Sequence, residues 1–117
     1  MYDAIQGVFA DYDLIVGPTL ACLPVDNADD GNTVGLQGST GVDVDPLIGW
    51  CPTDLFNYTG HPAASIPAGM TDDGLPVGMQ IAGRRYADVD VLAASAAFEQ
   101  FRPWAHTYER FHDRPLH

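Results

Sequence analysis

Between Ala63 and Gly83, two apolar runs flank the triplet Asp72-Asp73-Gly74, and this arrangement restricts the fold more than any other stretch of the chain. The first run, Ala63 to Ala68, and the second, Val77 to Gly83, both have the length of a strand. The intervening Asp-Asp-Gly supplies the positive φ that a tight connection needs. The pattern predicts a hairpin or near-hairpin. In its second strand Val77, Met79 and Ile81 alternate with Gly78, Gln80 and Ala82, so one face is expected to carry most of the burial. Glycines inside that strand point to another backbone or a ligand coming close.

The remaining segments supply helices and a further strand. Ile5, Val8, Phe9 and Tyr12 recur at spacings of three and four, the period of a short amphipathic helix with one face to bury. Leu14-Ile15-Val16, followed by Gly17-Pro18-Thr19, reads as a strand. Its unbroken apolar character predicts an interior position with neighbours on both edges. Residues 23–45 are rich in Gly, Asp and Asn without a period, which predicts a long irregular loop of the kind that often borders a functional site. Asp45 as a cap and Pro46 at the first helical position predict a second helix running through Trp50 and Phe56 toward Gly60, broken at Pro52. Asp88 is the expected cap of a last helix carrying Val91, Ala94, Phe98 and Phe101 and ending before Pro103. Residues 105–117 read as an irregular but docked tail. The whole is expected to be α/β, one domain's worth of structure over residues 1–117.

Charge narrows the partners. Fourteen Asp and two Glu stand against five Arg and no Lys, a formal net charge of -11. Such a surface repels nucleic acid and anionic lipid. An Asp excess without lysine also fits a cell of high internal salt, where counterions screen the self-repulsion. No apolar run approaches the roughly 20 residues of a membrane helix, and no basic segment precedes an apolar one, so the chain reads as soluble and cytoplasmic. Cys22 and Cys51 lie 29 positions apart without a second ligand nearby, the mark of reduced, partly buried thiols.

The stretch Asn57 to Arg85, NYTGHPAASIPAGMTDDGLPVGMQIAGRR, resembles the C-terminal motif of the amidase-signature family, an N-x-T/A-G-x-P-A-x-S-x-P-x-G block followed by G-L-P-x-G-x-Q-x-x-G. Upstream, DLIVGPT is similar to the family's strand with its Pro-Thr end. Downstream, the Ala-rich helix closing in Phe101-Arg102-Pro103-Trp104 is similar to the end of many family amidases. The resemblance runs from about Tyr2 to Trp104, with residues 23–45 its weakest part. It implies the C-terminal part of one large mixed sheet sandwiched by helices, and hydrolysis of a carboxamide C–N bond in the complete enzyme. It implies no cofactor and no metal, and a small-molecule amide as partner. In the family a Ser nucleophile is activated by a second Ser and a Lys, all upstream of this block. This chain has no Lys, and Ser39, Ser65 and Ser95 sit in no Gly/Ser-rich signature, so no catalytic residue is assigned to it and it is expected to be inactive alone. The segment before the motif borders the acyl side of the pocket in family members. This makes Trp50, Phe56 and Asn57 the candidate pocket wall, with core filling by the two aromatics an equally good reading and loop-bracing hydrogen bonds the better one for Asn57.

Two rival readings stand beside this one. The glutaminase-type component of a tRNA-dependent amidotransferase shares the block. Trp50, where that component would present an acid, and the Arg-Pro-Trp ending lean away from it. A non-catalytic truncated protein that folds on a partner is the other, and unpaired strand edges would then favour self-association. Further residue patterns carry less. A Cys51–His61 hydrolase pair rests on residue type alone. Asp26 to Gly31 imitates the start of a calcium loop, but Ala28 and Gln37 stand where ligands belong. His106, His112 and His117 lack ligand spacing, and Gly38-Ser39-Thr40-Gly41 reads as a turn.

Overall fold

A computed structural model describes residues 1–25, 45 and 48–111. Its elements in chain order are α1 (Tyr2–Val8), β1 (Leu14–Pro18), α2 (Asp54–Thr59), β2 (Ala63–Met70), β3 (Pro76–Gly83), α3 (Asp88–Phe101) and a 3-10 helix (Ala105–Phe111). Most of the segment expected to form the long loop lies outside the described residues.

The hairpin forms as expected and is antiparallel, with Ala64 opposite Ile81 and Ile66 opposite Met79. Its connection is closed by Thr71, whose N–H donates to the Leu75 carbonyl at 2.9 Å and whose Oγ1 accepts from the Leu75 N–H at 3.0 Å. Gly74 takes the positive φ, +81°. One register shift between Pro67 and Gly69 leaves a bulge in β2. β1 lies on the other side of β3, also antiparallel, so the sheet order is β1-β3-β2.

β1 is an edge strand of the described sheet, and Val16 remains 55% exposed; the second neighbour expected for it is not among the described strands. One expectation is corrected. β3 is the central strand, and it is not buried on one face alone: from Gln80 to Gly83 every residue is buried, including Gln80 and Ala82 on the face opposite Ile81. On the Ile81 side, Ile66, Ile81 and Val91 form the core, with Leu14, Met79, Ala94, Phe98 and Trp104 packed around them. α3 is thus the layer over that face, docked by the residues its spacing singled out, apart from Phe101, which is 82% exposed. Gly83 permits the docking, because a Cβ there would stand 2.8 Å from Val91 Cγ2.

Helix boundaries differ in detail. Pro46, the expected first helical position, lies outside the described residues. Residues 48–50 form a turn, with the Ile48 N–H donating to Asp45 Oδ1, and α2 begins only after Pro52. A proline lacks the donor a helix interior needs and pushes the residue before it out of helical geometry, so the break expected at Pro52 is the boundary of α2. α2 ends at Gly60 in the left-handed conformation, φ +67°. Ala87, not Asp88, caps α3; Asp88 and Asp90 lie in its first turn, where negative charge suits the helix dipole. α1 is shorter than its apolar period, and Tyr12 stays 64% exposed. The described part of the tail, expected to be irregular, is the 3-10 helix.

Candidate functional site

Two side chains fasten α1 to the rest of the chain. Arg84, immediately after β3, donates from Nε to the Phe9 carbonyl at 3.1 Å and pairs with Asp13 at 3.0 Å, so it ties the end of α1 to the start of β1. His61, just past α2, is buried with its ring stacked on Tyr2 and Phe9, at centroid separations of 5.5 and 5.3 Å. Its Nδ1 meets Thr59 Oγ1 at 2.9 Å and its Nε2 meets Gln6 Oε1 at 3.1 Å. Burial first, and the Arg85 guanidinium second, hold its pKa below the ordinary histidine value. Neither role was read from the sequence. The available signal was scarcity: with five Arg and no Lys, each cation beside a strand end is a candidate for a specific partner.

A second polar contact spans the sheet. Thr19 Oγ1 and Ser65 Oγ lie 2.7 Å apart, one beyond the end of β1 and the other on β2, joined across β3. Gly78 between them makes this geometrically allowed, since a Cβ there would lie 2.8 Å from Thr19 Oγ1 and 3.2 Å from Ser65 Oγ. The close approach expected at the strand glycines is therefore made by side chains, at Gly78 and again at Gly83.

Trp50, Phe56 and Asn57 differ in burial. Phe56 points into the core, 7% exposed. Asn57, next to it on α2, is exposed and makes no side-chain hydrogen bond to another described residue. Trp50 is half-buried in the turn before α2, its carbonyl accepts the Ala21 N–H at 3.0 Å, and its indole Nε1 is enclosed without an acceptor among the described residues. Clefts on this surface involve other residues: one of about 390 Å³ between the hairpin and residues 102–108, and one of about 120 Å³ lined by Thr19, Cys22, Leu23 and Val77.

None of the described nucleophile candidates has a base. Ser65 bonds Thr19, and Ser95 Oγ donates to the Val91 carbonyl. Both ring nitrogens of His61 are engaged away from Cys51. The Cys51 thiol is pushed up by burial, then by Asp54 and Cys22, the reverse of an activated thiolate. Among the described residues no group of His, Cys, Asp and Glu is arranged to hold a metal, and no helix is long and apolar enough to cross a membrane. Ser39, the calcium-like loop, His112 and His117 lie outside the described residues.

An antiparallel hairpin under a helix, its glycines opening space for a Thr–Ser bridge and a docked valine, is what the motif Asn57 to Arg85 builds. The Amidase family profile matches residues 1–92, and the chain belongs to that family. An acylamidase of Rhodococcus erythropolis is 39% identical over 105 residues, covering 90% of this chain and 21% of that enzyme. The crystal structure of a bacterial aryl acylamidase of the amidase-signature family superposes with a TM-score of 0.89 at 56% identity, covering 98% of this chain and 23% of the other. The 6-aminohexanoate cyclic dimer hydrolase superposes at 0.61 and 28% identity, covering 85% and 21%. A glutamyl-tRNA(Gln) amidotransferase component from Thermotoga maritima superposes at 0.62 and 32% identity, covering 88% and 20%. The chain thus spans about a fifth of the length of the relatives it matches.

Proposed function

We propose that this chain is the C-terminal portion of an amidase that hydrolyses the C–N bond of an acylated arylamine or a related small carboxamide. Its part is to complete the sheet and to supply one wall of the pocket, while the nucleophilic Ser and the second Ser and Lys that activate it come from elsewhere in the enzyme. The likeness to the aryl acylamidase carries this reading, because both its identity and its superposition exceed those of the amidotransferase component. Trp50 is the leading wall residue: its enclosed indole N–H lacks an acceptor among the described residues, which a substrate carbonyl or a neighbouring loop of the whole enzyme would provide. Phe56 is buried, and Asn57 is exposed on α2. The open edge of β1 and the exposed Val89, Leu92 and Phe101 are the surfaces by which the isolated chain would self-associate.

The test is reconstitution. The chain alone should release no arylamine from an acyl anilide. Coexpression with the remaining segment of the aryl acylamidase relative should restore turnover, and Trp50→Ala should then lower it. Turnover by the chain alone that survives Cys51→Ala would overturn the reading. The acidic surface supports a cytoplasm of high salt as the working environment. Thermal melts should then rise with KCl as the Debye length falls from about 10 Å at 0.1 M to about 3 Å at 1 M. A flat midpoint in KCl that rises only in sulfate would reduce the effect to salting-out.

A further inference from the structure

We propose that Cys22 and Cys51 are a thiol pair that closes to a disulfide on oxidation, tying the segment that leaves β1 to the turn that precedes α2. The two segments already meet. The Ala21 N–H donates to the Trp50 carbonyl at 3.0 Å, and each cysteine is the next residue after that junction. Both thiols are free and half-buried. The Cys51 backbone is held in its turn by a 2.9 Å bond from its N–H to the Ile48 carbonyl. Cys22 lines the smaller cleft, which opens to solvent and gives a reagent access to one member of the pair. Its nearness to the other shows in the upward push that Cys22 adds to the Cys51 thiol, after burial and Asp54.

The chemistry balances with oxidised glutathione as oxidant. The Cys22 thiolate attacks one glutathione sulfur, forms a mixed disulfide and releases one glutathione thiolate. Cys51, once deprotonated, attacks the Cys22 sulfur and releases the second. Two protein thiols are oxidised and one glutathione disulfide is reduced to two glutathiones. Because the Cys51 thiol is held up, the closing step is slow at neutral pH and accelerates as pH rises. Closure would fix Trp50 between two tethered neighbours, so indole fluorescence reports it.

The experiment equilibrates the full 117-residue chain with reduced and oxidised glutathione, in native buffer and in concentrated denaturant, with thiols counted by mass spectrometry. The expected product is a monomer without free thiols and without a glutathione adduct, whose proteolytic map joins the peptides of Cys22 and Cys51. Cys22→Ser and Cys51→Ser should each stop at a single glutathione adduct. The native effective concentration of the pair should exceed, at least about tenfold, the roughly millimolar value of a flexible linker measured in denaturant. Equal values in the two conditions, a doubly glutathionylated native chain, unreactive native thiols, or disulfide-linked dimers in place of the closed monomer would each overturn the proposal.

Discussion

β3 and β1 lie side by side in one sheet, yet only β3 is enclosed. Its last four residues are all buried, Ala82 completely, while Val16 on β1 keeps more than half its surface. Both strands are apolar, so lateral position and not side-chain character decides the difference. β3 has a hydrogen-bonded strand on either side and cover on both faces. β1 has β3 on one side only among the described residues.

Charge insertion breaks the comparison most sharply. Ala82→Asp puts a carboxylate where a fully buried methyl now sits and should cost above about 4 kcal/mol, enough to abolish a cooperative melt in a small domain. Val16→Asp should cost about 1 kcal/mol or less, because the new carboxylate reaches water. Chemical denaturation of both variants in high salt checks this, and equal losses would mean that β1 is covered as fully as β3. A smaller effect probes what joins the outer strands across β3. Ser65→Ala should cost about 1 kcal/mol. Gly78→Ala should cost more in the wild type than in the Ser65→Ala background, since its Cβ displaces the hydroxyl pair; strict additivity in that cycle would remove the bridge as the reason for glycine.

The smallest effect concerns the fastening of α1. His61 has a lowered pKa, so the folded chain favours the neutral ring. Its contribution is fully present above the unfolded value near 6.5 and is lost as pH falls through the folded value. Between pH 7 and 5 the wild type should therefore lose stability more steeply than His61→Gln, and exchange of the α1 amides should quicken first. Parallel pH profiles for the two proteins would show that the ring titrates freely.

Local rules made the hairpin, its Gly74 connection and the core face of α3 legible, because period and turn chemistry act over a few residues. Which strand β1 pairs with was not legible, because an apolar triplet does not name its neighbour and only pairing over long sequence distances does. The burial of Gln80 and Ala82 exceeds what alternation led one to expect, because what covers the second face of β3 is not written in β3 itself. His61 sits in a small-residue turn and shows its role only when α1, more than fifty residues earlier, brings Tyr2, Gln6 and Phe9 around it. Trp50, Phe56 and Asn57 came from family resemblance, and burial separates them into an enclosed donor, a core residue and a surface amide.

The bulge in β2 carries a consequence for how the sheet is lengthened. Pro67 offers no N–H, and the register slips right after it, so a further strand laid along that rim would meet a missing donor and a change of direction. Leu14 to Val16 contain no such interruption on the opposite rim. The two rims of the described sheet are therefore unequal: a strand added beside β1 would meet an uninterrupted backbone, and one added beside β2 would not. In the whole enzyme this would make the hairpin a terminus for lateral growth, and in a truncated chain it limits mispairing to a single rim.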